Sequence, residues 1–223
     1  MAKLGTMANV ITRPWHSPMN KTPPGQVRII GGTLRGSKLP VLDMPGLRPS
    51  GDRARETLFN WLQHEVAGKR VLDLFAGSGA LGFEAASRGA GEVVLLERDS
   101  LLAQSLRDSA KRLKVDSVRV EYADAMTWLA RPPESRFDLV FVDPPFKANL
   151  WEAVAGALSP WLADRAWVYV EIARTAPFEP PTGWSLHRQG QTREVRHLLF
   201  RTETLFGADT LAGNFPGAGI VQA

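Results

Sequence analysis

The sequence predicts an α/β fold in which a mostly parallel sheet carries helices on both faces. After Gly68, short apolar segments alternate with stretches whose apolar residues recur at helical spacing. Parallel strands need a crossover helix between them, so this alternation is typical of a buried parallel sheet. Two last apolar segments follow one another without a long helix, which indicates an antiparallel hairpin at the sheet edge. One sheet of seven strands is therefore expected.

The predicted elements follow from these patterns in chain order. Strands are expected at 70–75, 92–96, 118–122, 137–142 and 167–172, and the hairpin around 184–188 and 195–201. Helices are expected at 80–88, 101–114, 125–130 and 150–162. Ahead of them, residues 27–30 and 34–39 flank Gly31-Gly32 and predict a small hairpin. Asp52 is expected to cap a helix that runs to about residue 65.

Charge separates the two parts of the chain. Residues 1–55 contain nine Lys and Arg against two acids, a formal +7, whereas the remainder has 18 basic and 21 acidic residues, a formal −3. A basic segment ahead of a near-neutral core is typical of a nucleic-acid contact surface, because cations neutralise backbone phosphates. A merely solubilising tail is the alternative.

Four segments are expected from composition. Residues 1–25 are predicted to be a disordered extension without a secretory signal, and 206–223 a flexible Gly-rich tail. Between them lie a basic hairpin and helix at 26–66, expected to contact nucleic acid, and an α/β core at 67–205. No apolar run is long enough to span a bilayer, so no membrane contact is expected. The absence of cysteine excludes disulfides and is compatible with a cytoplasmic location.

The first strand of the core leads into a glycine-rich loop. Gly77, Gly79 and Gly82 satisfy the pattern G-x-G-x-x-G, and Glu97 follows the first of them by 20 residues, at the end of the next strand. Glycines let the backbone approach a ligand closely, and an acid in this position accepts hydrogen bonds from ribose hydroxyls. These features fit a nicotinamide dinucleotide as well as S-adenosylmethionine.

Carboxylates at other strand ends favour S-adenosylmethionine. Asp73 lies beside the glycine loop, where it would repel a pyrophosphate but suits an ammonium group. Asp124 ends the third strand, where an adenine amine can donate to it. The fourth strand ends in Asp143-Pro144-Pro145-Phe146, a rigid turn with a carboxylate, a fixed carbonyl and an aromatic ring. Each acid could instead serve the loop or cap a helix.

These residues together resemble the motifs of class I S-adenosylmethionine-dependent methyltransferases that act on exocyclic amines, which have a Rossmann-like sheet. Residues 27–36, 47–50 and 52–62 narrow the resemblance to bacterial 16S rRNA guanine-N2 methyltransferases of the RsmD type. The similarity covers roughly residues 26–202. The N-terminal block is its specific part, since many families share the other motifs.

The resemblance implies a role for each group of residues. A guanine of 16S rRNA would be the substrate, within the 30S subunit or an assembly intermediate, with S-adenosylmethionine as cofactor and no metal. The implied catalytic residues are Asp143, Pro144, Pro145 and Phe146. The implied cofactor-binding residues are Asp73, Phe75, Gly77, Gly79, Glu97, Asp124 and Ala125. The implied RNA-binding residues are Arg28, Arg35, Lys38, Arg48, Arg53 and Arg55.

Three other functions stay open from the sequence. One is a base-amine methyltransferase that acts on another RNA or on adenine or cytosine in DNA, against which the N-terminal block argues. Another is a dinucleotide-binding oxidoreductase, and the third is an RNA-binding protein without catalytic activity. The four histidines are too scattered to suggest a metal site.

Overall fold

The structure, a computed structural model, describes residues 25–43, 51–144 and 150–203. The strands are β1 Gly25–Arg28, β2 Lys38–Val41, β3 Arg70–Asp73, β4 Glu92–Glu97, β5 Val118–Tyr122, β6 Phe137–Val142, β7 Leu162–Ala173, β8 Trp184–Gln191 and β9 Val195–Thr202. The helices are α1 Asp52–Trp61, α2 Ala80–Ser87, α3 Ser100–Leu113, α4 Ala125–Leu129 and α5 Trp151–Leu158, which a short 3-10 helix, Ser159–Trp161, extends.

Seven strands form one sheet in the order β5-β4-β3-β6-β7-β9-β8, and β1 and β2 form a separate antiparallel hairpin. The pairs from β5 through β7 are parallel, while β9 runs antiparallel to both β7 and β8. The predicted fold class is confirmed. From β3 the chain passes to β4 and β5 on one side of the sheet and then returns to form β6 on the other side of β3. A ligand cleft is therefore expected at the carboxyl ends of β3 and β6, where the strand order reverses.

Apolar side chains cover both faces of the sheet. One buried cluster joins α1, α2 and α3 to one face and includes Phe59, Phe83 and Phe141. The other joins α4 and α5 to the opposite face and includes Trp128 and Trp161, whose rings stack with centroids 4.0 Å apart. Paired residues on neighbouring parallel strands belong to the same cluster, and successive pairs along the strands alternate between the two clusters, as a doubly covered sheet requires.

The loop after β1 is fixed to helix α2 by buried polar contacts. Both oxygens of the Glu84 carboxylate accept backbone hydrogen bonds, from Ile30 N–H at 2.7 Å and Gly31 N–H at 2.8 Å. Ser87, one turn later, accepts a hydrogen bond from Leu34 N–H and donates one to the Gly31 carbonyl. The basic hairpin is therefore fixed on the core of the protein.

Several predicted boundaries differ from the structure. Helix α1 ends at Trp61, and Asp52 is its first residue rather than its cap, because its carboxylate pairs with Arg55 at 2.6 Å. The last parallel strand is longer than predicted and begins at Leu162, inside the predicted helix 150–162. Among the described residues, no helix is long and apolar enough to cross a membrane. The predicted disordered N-terminal extension and flexible tail lie almost wholly outside the described residues.

Candidate functional site

A cleft of about 720 Å³ opens at the carboxyl ends of the parallel strands, on both sides of the β3–β6 boundary. Loops after β3, β4, β5 and β6 line it, together with the start of α1 and the turn between β8 and β9. It includes most of the residues that the sequence singled out: Arg53, Asp73, Phe75, Gly77, Glu97, Asp124, Ala125, Asp143 and Pro144.

The glycine loop after β3 leads into helix α2 through backbone that requires glycine. Gly79 has a φ of 77°, and a Cβ there would lie 2.6 Å from the Leu106 side chain. A Cβ on Gly82 would collide with Leu95, so this glycine brings α2 close to the sheet. Gly79 is not among the residues that line the cleft, and its contribution there is to shape the loop.

Glu97, at the end of β4, supports this loop. Its Oε2 accepts a hydrogen bond from Gly77 N–H at 2.9 Å, and its Oε1 accepts one from Asp99 N–H at 2.8 Å. A carboxylate oxygen has two lone-pair directions, so each can also accept a hydroxyl hydrogen from a ligand. Glu97 therefore orders the loop and offers acceptors to the cleft.

Asp73, at the end of β3, is a buried acid facing the same cleft. Its Oδ2 accepts a hydrogen bond from Gly82 N–H at 3.1 Å. Desolvation by burial raises the pKa of Asp73 from 3.8 to about 7, with smaller increases from the charges of Glu97 and Glu171. The backbone hydrogen bonds from Gly82 and Phe75 oppose this shift. A cation placed here would stabilise the charged form.

Asp124 caps helix α4, because its Oδ1 accepts a hydrogen bond from Thr127 N–H at 3.0 Å. It is exposed, whereas the next residue, Ala125, is buried. Both residues line the cleft. The structural role that the sequence left open for Asp124 thus exists, and it leaves the residue on the cleft surface.

The turn after β6 brings Asp143 and Pro144 to the cleft. Val142, the last residue of β6, pairs with Val170 of β7, so Asp143 follows at the level of Glu171. Pro145 and Phe146 lie outside the described residues. The carboxylate of Asp143 therefore shares one cleft with Asp73 and Glu97, which come from two other strands.

The predicted RNA-binding residues divide into three groups. Arg28, Arg35, Lys38 and Arg53 are exposed, and Arg53 lines the cleft. Arg48 lies outside the described residues. Arg55 is buried, and its guanidinium donates to the Arg28 carbonyl at 2.9 Å and pairs with Asp52 and Glu84. The prediction that Arg55 faces RNA is corrected by this placement, because a buried guanidinium cannot reach a phosphate.

The cleft also contains Glu171 and His197, which the sequence analysis did not single out. Both are buried, and both lie within hydrogen-bonded contact of the neighbouring Tyr169. A signal existed for Glu171, since it is an acid in the otherwise apolar segment 166–172. The signal for His197 is absent from the sequence, because its proximity depends on the pairing of β7 with β9.

Comparisons with known proteins agree with this geometry. The family model described as Conserved hypothetical protein 95 matches residues 27–201. Ribosomal RNA small subunit methyltransferase D of Escherichia coli (strain K12) is 46% identical over 188 residues, which cover 82% of this chain and 94% of the relative. The Haemophilus influenzae protein of the same name is 43% identical over 182 residues, covering 79% and 94%. A solved Escherichia coli structure described as a methyltransferase superposes with a TM-score of 0.74 at 46% identity, covering 80% and 99%.

The sheet order and the acid-lined cleft define a class I methyltransferase. The chain belongs to the family of Conserved hypothetical protein 95, together with ribosomal RNA small subunit methyltransferase D. The resemblance that the sequence suggested is confirmed, and an oxidoreductase or a DNA methyltransferase is not favoured.

Proposed function

We propose that this protein transfers a methyl group from S-adenosylmethionine to the exocyclic N2 of a guanine in 16S rRNA of the small ribosomal subunit. Its family membership supports methyl transfer to rRNA. One observation carries the choice of an amine as acceptor: the Asp143–Pro144 turn opens into the same cleft as Asp73 and Glu97. The substrate form is the 30S subunit or one of its assembly intermediates.

The residues of the cleft fit the methyl donor. Bound S-adenosylmethionine supplies an activated methyl group on a sulfonium. Asp73 takes its ammonium, directly or through water, and Glu97 accepts from its ribose hydroxyls. Asp124 and Ala125 receive the adenine, while Phe75, Gly77 and Gly79 shape the loop around the ligand. A buried acid with a pKa of about 7 fits a cationic group better than a pyrophosphate.

Positioning of the acceptor amine is the main catalytic contribution of the chain. The lone pair of guanine N2 is delocalised into the ring, so the amine is a poor nucleophile. The Asp143 carboxylate and the Pro144 carbonyl accept its two hydrogens and aim the nitrogen at the methyl group. Asp143 or water then receives the proton that the methylated amine releases. We assign Pro145 and Phe146 to the same step by their positions in the sequence, since a second proline restricts the chain and an aromatic ring can stack on a base that has left its neighbours.

The basic N-terminal hairpin and helix, at residues 26–66, bind the RNA backbone. Arg28, Arg35 and Lys38 are exposed on the hairpin, and Arg53 extends the positive charge to the edge of the cleft. Arg48 is assigned to the same role by its position in the sequence. Arg55 supports the surface from within, because it holds the Arg28 carbonyl.

A methyl-transfer assay with labelled S-adenosylmethionine tests this function on 30S particles, naked 16S rRNA and duplex DNA. We expect incorporation into RNA, and a loss of kcat of at least about 100-fold in Asp143→Ala with RNA binding retained. Asp138→Asn is a matched control, since Asp138 lies on the same strand and contacts Arg70 outside the cleft. Methyl transfer to DNA alone, or full activity of Asp143→Ala, would contradict the proposal.

A further inference from the structure

Tyr169, Glu171 and His197 form a hydrogen-bonded group on the side of the cleft where β6 and β7 end. Glu171 and His197 are directly paired residues of β7 and β9, and both line the cleft with Asp143. Because Val142 pairs with Val170, Asp143 and Glu171 follow at the same level on neighbouring strands. Such strands lie about 4.8 Å apart, so the two acids are close enough to contact one flat base.

The hydrogen bonds within this group fix its protons. The Tyr169 hydroxyl donates to Glu171 Oε1 at 2.8 Å and lies 2.8 Å from His197 Nδ1. Because the hydroxyl has a single proton, His197 must donate from Nδ1 to the hydroxyl oxygen. Burial and the adjacent Glu171 raise the pKa of Tyr169, so its hydroxyl stays protonated. The carboxylate is therefore held by a donor that does not ionise.

Packing does not explain why an acid occupies this position. Glu171 is 5% exposed on a strand whose neighbours Val170 and Ile172 are apolar and buried. A buried carboxylate is costly unless other groups satisfy it, and an apolar residue would serve the core better. Nε2 of His197 is also buried and has no partner among the residues that the structure describes. Polar groups kept at such a cost beside a cleft indicate a functional role.

The geometry points to Glu171 as the residue that selects guanine, by accepting the N1–H of the target base, with Tyr169 and His197 as positioning residues. This inference rests on the proposed function. Guanine presents N1–H beside its N2 amine, whereas adenine N1 and cytosine N3 present lone pairs. A carboxylate only accepts hydrogen bonds. It therefore attracts the N1–H of guanine and repels the lone pairs of adenine N1 and cytosine N3. When Asp143 and the Pro144 carbonyl accept the hydrogens of the N2 amine, Glu171 on the neighbouring strand faces the N1–H of the same base.

The test compares 30S particles whose 16S rRNA carries guanine at the methylated position with particles whose rRNA carries 2-aminopurine there. This analogue keeps the amine at C2 but has a lone pair at N1 and lacks the O6 atom. The unaltered enzyme should prefer guanine by at least about 100-fold in kcat/KM, since buried polar groups left unpaired reject an analogue strongly. Glu171→Gln should lower kcat/KM for guanine by at least about tenfold. It should also reduce the preference for guanine over 2-aminopurine, because the glutamine amide can donate a hydrogen bond to the N1 lone pair of 2-aminopurine.

Two further variants separate selection from stability. Tyr169→Phe keeps the ring and frees the carboxylate, so it should narrow the preference less than Glu171→Gln. Glu179→Gln, at an exposed acid outside the cleft, should leave it unchanged. Equal losses on both RNAs in Glu171→Gln and Tyr169→Phe, with the preference unaltered, would overturn selection by Glu171. Failure of the unaltered enzyme to methylate 30S particles that carry guanine at this position would overturn the proposed function itself.

Discussion

Arg55 on α1 and Glu84 on α2 form an ion pair in which neither side chain is exposed, with Nη1 and Oε2 3.7 Å apart. Arg88 adds a second guanidinium, whose Nε donates to Glu84 Oε1 at 2.8 Å. The same carboxylate accepts from Ile30 and Gly31 in the basic hairpin. One acid thus joins the basic hairpin to the helix that follows the glycine loop.

Removal of this acid should destabilise the whole protein. Glu84→Ala leaves the buried Arg55 with only the exposed Asp52 as counter-charge and leaves two backbone N–H groups without acceptors. We expect the free energy of unfolding in urea to fall by about 3–5 kcal/mol. Asp164→Ala is the control, because its ion pair with Arg136 is exposed and should contribute less than about 1 kcal/mol. A loss for Glu84→Ala as small as the control would show that the buried pair does not hold the hairpin.

Arg53 and Arg55, two residues apart, should behave in opposite ways. Arg53 is exposed at the cleft, so Arg53→Ala should weaken RNA binding and reduce the slope of log affinity against log salt by about one. The free energy of unfolding of the Arg53→Ala variant should be unchanged. Arg55→Ala should instead lower the free energy of unfolding. Binding isotherms at several salt concentrations and urea denaturation of both variants check this, and a stable Arg55→Ala with the altered salt slope would reverse our assignment.

Asp73 predicts a pH dependence of cofactor binding. Its pKa is raised in the folded protein to about 7, so its stabilising contribution is complete below about pH 4 and is lost as the pH rises through about 7. A bound ammonium group favours the charged carboxylate, so S-adenosylmethionine should bind more tightly as the pH rises from about 6 to about 8. Calorimetry should show that Asp73→Asn lacks this increase, while the titration of the ligand's own amine remains in both proteins. If the affinity for S-adenosylmethionine changed with pH in the same way in Asp73→Asn and in the unaltered protein, Asp73 would be excluded from the cofactor site.

Glu97 should affect cofactor affinity through both of its oxygens. In Glu97→Gln an amide NH2 replaces one carboxylate oxygen, which places a donor against the N–H of Gly77 or Asp99. We expect the Kd for S-adenosylhomocysteine to rise by roughly tenfold or more, because an unsatisfied N–H costs about 1–3 kcal/mol. Glu92→Gln, at the other end of β4 and paired with Arg70, provides the control. Similar affinities for the two variants would contradict the role of Glu97.

The sheet was largely predictable because each strand carries its own signal. The bounds of β5 and β6 agree with the prediction, since apolar and charged residues alternate through β5 and the apolar segment of β6 ends at Asp143. The start of β7 was missed, because Leu162–Ala166 contains Asp164 and Arg165 and follows a helical pattern. Because of these two charged residues, the sequence pattern did not indicate a strand here, although pairing with β6 stabilises one.

The acid side chains of the cleft were predictable, but their partners were not. Strand ends converge at one edge of a parallel sheet, which places Asp73, Glu97 and Asp143 together from the sequence alone. Charge counting placed Arg55 on the surface, because its partner Glu84 is 29 residues away in sequence. The pairing of Glu171 with His197 likewise depends on tertiary structure.

Mass spectrometry of nucleosides from 16S rRNA tests the central claim most directly. The comparison uses cells that lack this gene and cells that carry it back as the unaltered form or as Asp143→Ala. We predict the loss of one N2-methylguanosine, restored by the unaltered protein and absent with Asp143→Ala. An unchanged N2-methylguanosine content, or the loss of a different methylated nucleoside, would contradict the account.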